Sequence, residues 1–158
     1  MITVKTKGFK ELEDALGKIE KEATRKNIAI RSLTKAGDMM VMTAQRMAPT
    51  DEGDLRSAIT IAPRATTAGG RKGKRGGSGG QFGDVVRVFM GIDLSVNNRL
   101  IIYSAVQEWG NVSNPAQPYM RPAFDAEKFR YVDRLSEELS IDIGKAIGRQ
   151  ERKRAKAL

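Results

Sequence analysis

Hydrophobic positions along the chain change their period several times, and each change marks an element. Ile2, Val4 and Thr6 alternate with Thr3, Lys5 and Lys7, the period-2 pattern of a short strand that Gly8 ends. Phe9, Leu12, Ala15/Leu16, Ile19 and Ala23 then recur every three or four residues, predicting an amphipathic helix with Lys10, Glu13, Glu20 and Lys21 on its wet face. A second helix is expected over about 27–47, with Leu33, Ala36, Met40, Ala44 and Met47 as its apolar stripe. Pro49 stops it, because the residue before a proline is pushed out of the helical region. Residues 50–54 read as a turn, and Leu55, Ser57, Ile59 and Ile61 alternate as a strand. Val86, Val88, Met90 and Ile92 predict a third strand, residues 93–98 a turn, and Leu100 to Tyr103 the start of a fourth strand. Pro115, Pro118 and Pro122 make 110–122 irregular. Pro122 suits the first position of a last helix with Phe124, Val132, Leu135, Leu139 and Ile143 or Ile147 on its buried stripe. The order β-α-α-β-loop-β-β-α predicts an α+β fold, a small antiparallel sheet packed by two N-terminal helices and a long C-terminal helix.

Composition narrows the chemistry. At 158 residues one domain is expected, taking roughly 150 residues per domain. The division read from the pattern is a single α+β domain over 1–144, with a flexible basic arm at 63–83, and a basic tail over 145–158. The chain has no His and no Cys, which removes the usual general base, thiolate nucleophiles and the common zinc sites. No catalytic constellation, metal site or cofactor motif is expected. The first 13 residues carry charges and no apolar run, so they do not read as a secretory signal. No apolar stretch approaches the roughly 18 residues that would span a bilayer, so an intracellular, soluble product is expected.

The net charge of +9 is concentrated. Residues 64–83 carry +5 from Arg64, Arg71, Lys72, Lys74 and Arg75, and residues 145–158 carry another +5, leaving the rest at −1. Two cationic appendages on a near-neutral body suit contact with a polyanion or with neighbouring proteins. Eight of the sixteen glycines lie in the first appendage, which fits no phosphate-loop pattern: Gly73-Lys74 is followed by Arg75, and Ala68 stands where such a loop needs glycine. Its plainest reading is a solvated loop, its functional one a cationic arm. The second has Arg149, Arg152, Lys153, Arg154 and Lys156, which a continued helix presents as one cationic stripe or leaves as a solvated helix end. Asp51, Glu52 and Asp54 form a tight acid cluster whose oxygens could hold Mg²⁺ or Ca²⁺, although the spacing is not that of a calcium loop and a turn-forming role is favoured. Glu108 beside Trp109 reads as an isolated acid.

Two segments resemble a family. Ala48-Pro49-Thr50-Asp51-Glu52-Gly53-Asp54-Leu55-Arg56-Ser57-Ala58-Ile59 is similar to the A-P-x-x-x-G-x-L-R-x-S-I turn of small tailed-bacteriophage neck and upper-tail proteins, variously called head–tail joining, tail-completion or minor tail components. Tyr103 to Gly110, followed by Pro115 to Phe124, is similar to that family's second box, an E-aromatic-G followed by Q-P-aromatic-x-R-P-A. Within these boxes structural roles are expected: Pro49 and Gly53 at the turn, Leu55 in the core, Arg56 free to pair with an acid. Glu108 belongs to the second box, Gly110 and Pro118 shape a rigid loop, Arg121 suits a charge pair, and Pro122 opens the helix.

The resemblance implies a structural virion protein, not an enzyme. Such a protein sits at the head–tail junction or upper tail, is assembled in the host cytoplasm, and forms a homo-oligomeric ring, sixfold in the family's manner, around the DNA channel. Its partners would be copies of itself, neighbouring neck and tail proteins and the double-stranded DNA backbone, with no membrane. Two other readings remain open at this stage: a free basic protein that binds double-stranded nucleic acid, and a metal-dependent nuclease centred on Asp51, Glu52 and Asp54.

Overall fold

Two helices carry the architecture, and each buries one residue per turn along a row spaced by four. In α2 (Glu22–Met47) the row is Ile28, Ser32, Ala36, Met40 and Ala44, extended by Ala48 just past the helix end. In α5 (Met120–Ala155) it starts at Ala123 and Glu127, continues through half-buried Tyr131, Leu135 and Leu139, and returns to full burial at Ile143. Such rows are the ridges by which helices interlock. The helices run antiparallel, because partners descend α5 as they ascend α2: Arg31 Nε donates to Asp142 Oδ2 at 2.7 Å, Lys35 Nζ to Glu138 Oε2 at 3.1 Å, and Thr43 Oγ1 to Glu127 Oε1 at 3.1 Å. Gly37 lies where a Cβ would meet the side chains of Ile61 and Tyr131, so the missing side chain admits a strand and α5 close to α2.

The computed structural model describes residues 8–19, 22–50, 54–63, 86–93 and 99–156. The remaining elements are α1 (Phe9–Gly17), α3 (Asp54–Ala58), β1 (Ile59–Ala62), β2 (Phe89–Ile92) and α4 (Leu100–Trp109). β1 and β2 pair antiparallel, with Ile59 opposite Ile92 and Ala62 opposite Phe89. The class is α+β, a small antiparallel sheet with two N-terminal helices and a long C-terminal one. Its main core joins Ala44, Ala48, Leu55, Ala58, Ile59, Leu100, Tyr119 and Ala123. A second core seats Leu12, Leu16 and Ile19 of the α1 segment on Ile28, Leu139, Ile143 and Ile147.

Several expected elements differ. The first helix ends at Gly17 rather than running to Ala23. The stretch expected as one strand from Leu55 splits: Leu55, Ala58 and Ile59 are buried at helical spacing, so a helical turn precedes the strand. Leu100 to Tyr103 begins a helix, not a strand, because Leu100 and Glu108 share its buried face while Ile101 and Ile102 point outward. The sheet accordingly has two strands among the described residues. Met47 and Phe124, expected in the core, are exposed by 46% and 53%; Ala48 and Ala123 beside them take the buried positions. Pro122 is the third residue of α5 rather than the first, where its missing N–H still costs no helical bond. The expected strand over Ile2 to Thr6, the turn at 51–53, nearly all of the 63–83 arm and most of the 93–98 turn lie outside the described residues.

Candidate functional site

The most completely built polar site joins the end of α4 to the start of α5. A helix begins with N–H groups that have no intrahelical acceptor, and a side-chain oxygen usually supplies one from within the same turn. Here the acceptor comes from the preceding helix. Glu108, only 6% exposed, receives the backbone N–H of Tyr119 at 2.8 Å and of Met120 at 2.9 Å on Oε2, and that of Arg121 at 3.1 Å on Oε1. Arg121 closes the joint twice more, donating Nε to Glu108 Oε1 and Nη2 to the Glu108 backbone carbonyl, each at 2.9 Å. Its guanidinium also lies 4.0 Å from the centre of the Trp109 ring. A negative charge at this end of a 36-residue helix is further favoured by the helix dipole.

The loop between the helices makes this reach geometrically feasible. Gly110 has φ 74° and ψ 174°, a region that glycine alone enters readily, and a Cβ there would stand 2.9 Å from the Ala116 nitrogen. Gly110 N–H donates to the Val106 carbonyl and Gln117 N–H to the Gln107 carbonyl, both at 2.7 Å. Asn111 Oδ1 accepts the N–H groups of Ser113 and Asn114 at 2.9 and 2.7 Å, so the exposed turn is held by its own side chain. Pro118 is exposed, and Tyr119 behind it is 1% exposed. Burial pushes the Tyr119 hydroxyl up to about 12, with the Glu108 charge adding to the effect. For Glu108 itself burial pushes upward, but the N–H donors of Met120, Tyr119 and Arg121 and the Arg121 side chain outweigh it, leaving the carboxyl below its ordinary value.

The other box residues lie near the first core. Leu55 is buried and Pro49 half-buried, while Gly53 is outside the described residues. Arg56, expected to pair with an acid, donates Nε to the Ala48 carbonyl at 2.9 Å and so satisfies backbone just past the end of α2.

Of the cationic candidates, Arg149, Arg152, Lys153, Arg154 and Lys156 all lie at the exposed end of α5, about 40 Å or more from the Glu108 joint at about 1.5 Å per residue. Arg64, Arg71, Lys72, Lys74 and Arg75 lie outside the described residues, as do Asp51 and Glu52. The structure thus brings together Glu108, Gly110 and Arg121, and sets the α5 cations apart from them. Among the described residues, no group of three or more His, Cys, Asp or Glu could hold a metal ion, and no helix is long and apolar enough to cross a membrane.

Two buried acids of α5 were missed by sequence reasoning, Asp142, 2% exposed and held by Arg31, and Glu127. Glu127, 5% exposed, accepts from Thr43 Oγ1 at 3.1 Å, and Thr43 Oγ1 in turn accepts from Arg46 Nη2 at 3.0 Å. Its second oxygen, Oε2, is buried without a hydrogen bond and has only the Arg130 guanidinium at 3.7 Å. A glutamate on the apolar row of a long helix is the signal that could have found it.

Residues 10–87 match the family model described as "Bacteriophage HK97-gp10, putative tail-component", so just under half of the chain is similar to a phage tail-component family. The matched segment contains the Ala48–Ile59 box and ends before the Tyr103–Phe124 box. Neither the curated proteins nor the solved structures returned a match.

Proposed function

We propose that this structural phage protein assembles as a closed ring, sixfold in the family's manner, at the head–tail junction, where it completes or joins the tail around the DNA channel. The observation that carries the reading is the phage tail-component match over residues 10–87. One small chain builds a channel most economically by repeating a heterologous contact until the rotation closes. Within the ring a domain over 1–144 forms the wall, and the 63–83 arm and the 145–158 tail reach adjoining ring proteins or the DNA backbone. Any phosphate contact by these cations is independent of base sequence and weakens steeply with salt. No catalytic step is assigned to the chain.

Mass spectrometry and cryo-electron microscopy of purified phage particles test this directly. A ring of this chain between capsid and tail is the expected result. Its absence from every particle, together with tight duplex-DNA binding by the isolated chain, would favour a free nucleic-acid-binding protein, the reading to which the exposed α5 cations also lend themselves.

A further inference from the structure

A groove of about 460 Å³ runs between α2 and α5. Its apolar floor includes Met39, Met40 and Ile141, of which Met39 and Ile141 are 37% and 48% exposed. Four carboxylates and two guanidiniums line it; Asp133 and Glu137 stand exposed on its rim, while Glu127 is buried in its wall with Oε2 lacking a donor. A buried carboxylate oxygen without a donor is costly, and positive charge docked over the groove would offset its charge through space. An apolar floor beneath acids also fits long basic side chains, whose methylene stems cover hydrophobic surface while their heads meet the charges.

The same chain carries such a group. The last described stretch, 151–156, is exposed throughout and holds four cations against Glu151. It cannot fold back onto the groove of its own subunit, since α5 is one continuous helix through both regions. We propose that the cationic end of α5 in one copy docks in the α2/α5 groove of the next, with its guanidinium and ammonium groups meeting the exposed Asp133 and Glu137 and lying over the buried Glu127. Donor and acceptor surfaces are different parts of one molecule, so the contact is heterologous and repeats around a ring. The proposal rests on the ring reading above and assigns the contact that closes it.

The helix supplies its own control. Residues 137 and 152 are about 22 Å apart along α5 at about 1.5 Å per residue, whereas a disulfide needs Cα atoms within about 7 Å. With no native cysteine in the chain, any bond between Cys introduced at these two positions is therefore between subunits. The test is a full-length Glu137→Cys, Arg152→Cys variant, both sites being exposed, oxidised in assembled particles and as the concentrated isolated chain. Expected is a covalent ladder on non-reducing gels that stops at the ring size seen by native mass spectrometry under reduction, with Arg152→Cys alone giving at most dimers. Rings that form without 137–152 linkage would overturn the docking contact and leave the ring standing. No oligomer in either setting would sink the ring reading and the contact with it. Neutralising Arg152, Lys153, Arg154 and Lys156 to Gln should reduce ring assembly; unchanged assembly with lost duplex-DNA retention would assign the helix end to DNA and overturn the proposal.

Discussion

Two buried glutamates on neighbouring stretches of the chain differ in how they are satisfied. Glu108 is 6% exposed and both of its oxygens accept, from three backbone N–H groups and the Arg121 side chain. Glu127 is 5% exposed, yet only one oxygen accepts, from Thr43, and the other has no donor. Burial is equal, so burial does not distinguish their roles; the count of donors does. A saturated carboxylate belongs to the fold, because every one of its interactions is already made within one chain. An unsaturated one is a cost that a partner can relieve.

Breaking the saturated site should have the largest effect. Glu108→Ala orphans three N–H groups at the start of α5 and strips Arg121 of its acceptor, so a loss of about 3 kcal/mol is expected in equilibrium denaturation, the lower end for a broken buried pair because Arg121 is itself half-exposed. Gly110→Ala should follow at about 1–3 kcal/mol, from a backbone region closed to alanine and a contact with Ala116, and the same denaturation series reads it.

Acid should weaken the same joint more gradually. The Glu108 carboxyl is depressed in the folded chain, so its stabilising contribution is fully present above the ordinary carboxylate value and is lost as pH falls through the lower folded value. Denaturation midpoints measured downward from neutral pH should therefore fall in that acidic window, and Glu108→Ala should flatten this part of the profile. At the small end, Arg152→Gln at the exposed helix terminus should change folding stability by no more than about 0.5 kcal/mol, as urea titration would show, whatever it does to assembly.

Much of the framework was legible in residue spacing. The four-residue rows of α2 and α5 repeat strongly enough to mark both helices and the buried Ala36, Met40, Ala44 and Ile143, but the polar members of the rows, Ser32 and Glu127, were not legible as buried, and Met47 and Phe124 were placed one residue off, on the wrong side of the row. The segment from Leu100 misled because its β-branched and aromatic residues favour a strand locally, and tertiary packing of Leu100 and Glu108 overrides that preference. The box containing Glu108, Gly110 and Arg121 could be seen as a motif, but its capping role could not. A helix cap is ordinarily read three residues from its target, whereas Glu108 reaches N–H groups 11 to 13 residues onward, a distance bridged only once Gly110 turns the chain.

The most direct test of the contrast is one denaturant-unfolding experiment on Glu108→Gln and Glu127→Gln beside the natural chain. An amide offers one acceptor and one donor group. At Glu108 it must aim N–H at a donor, so a loss of about 2 kcal/mol is predicted. At Glu127 the amide oxygen can keep Thr43 while the NH₂ takes the position that already lacks a donor, so a change within about 0.5 kcal/mol is predicted. Equal losses at the two positions would contradict the account, because the unsatisfied oxygen of Glu127 would then be serving the fold.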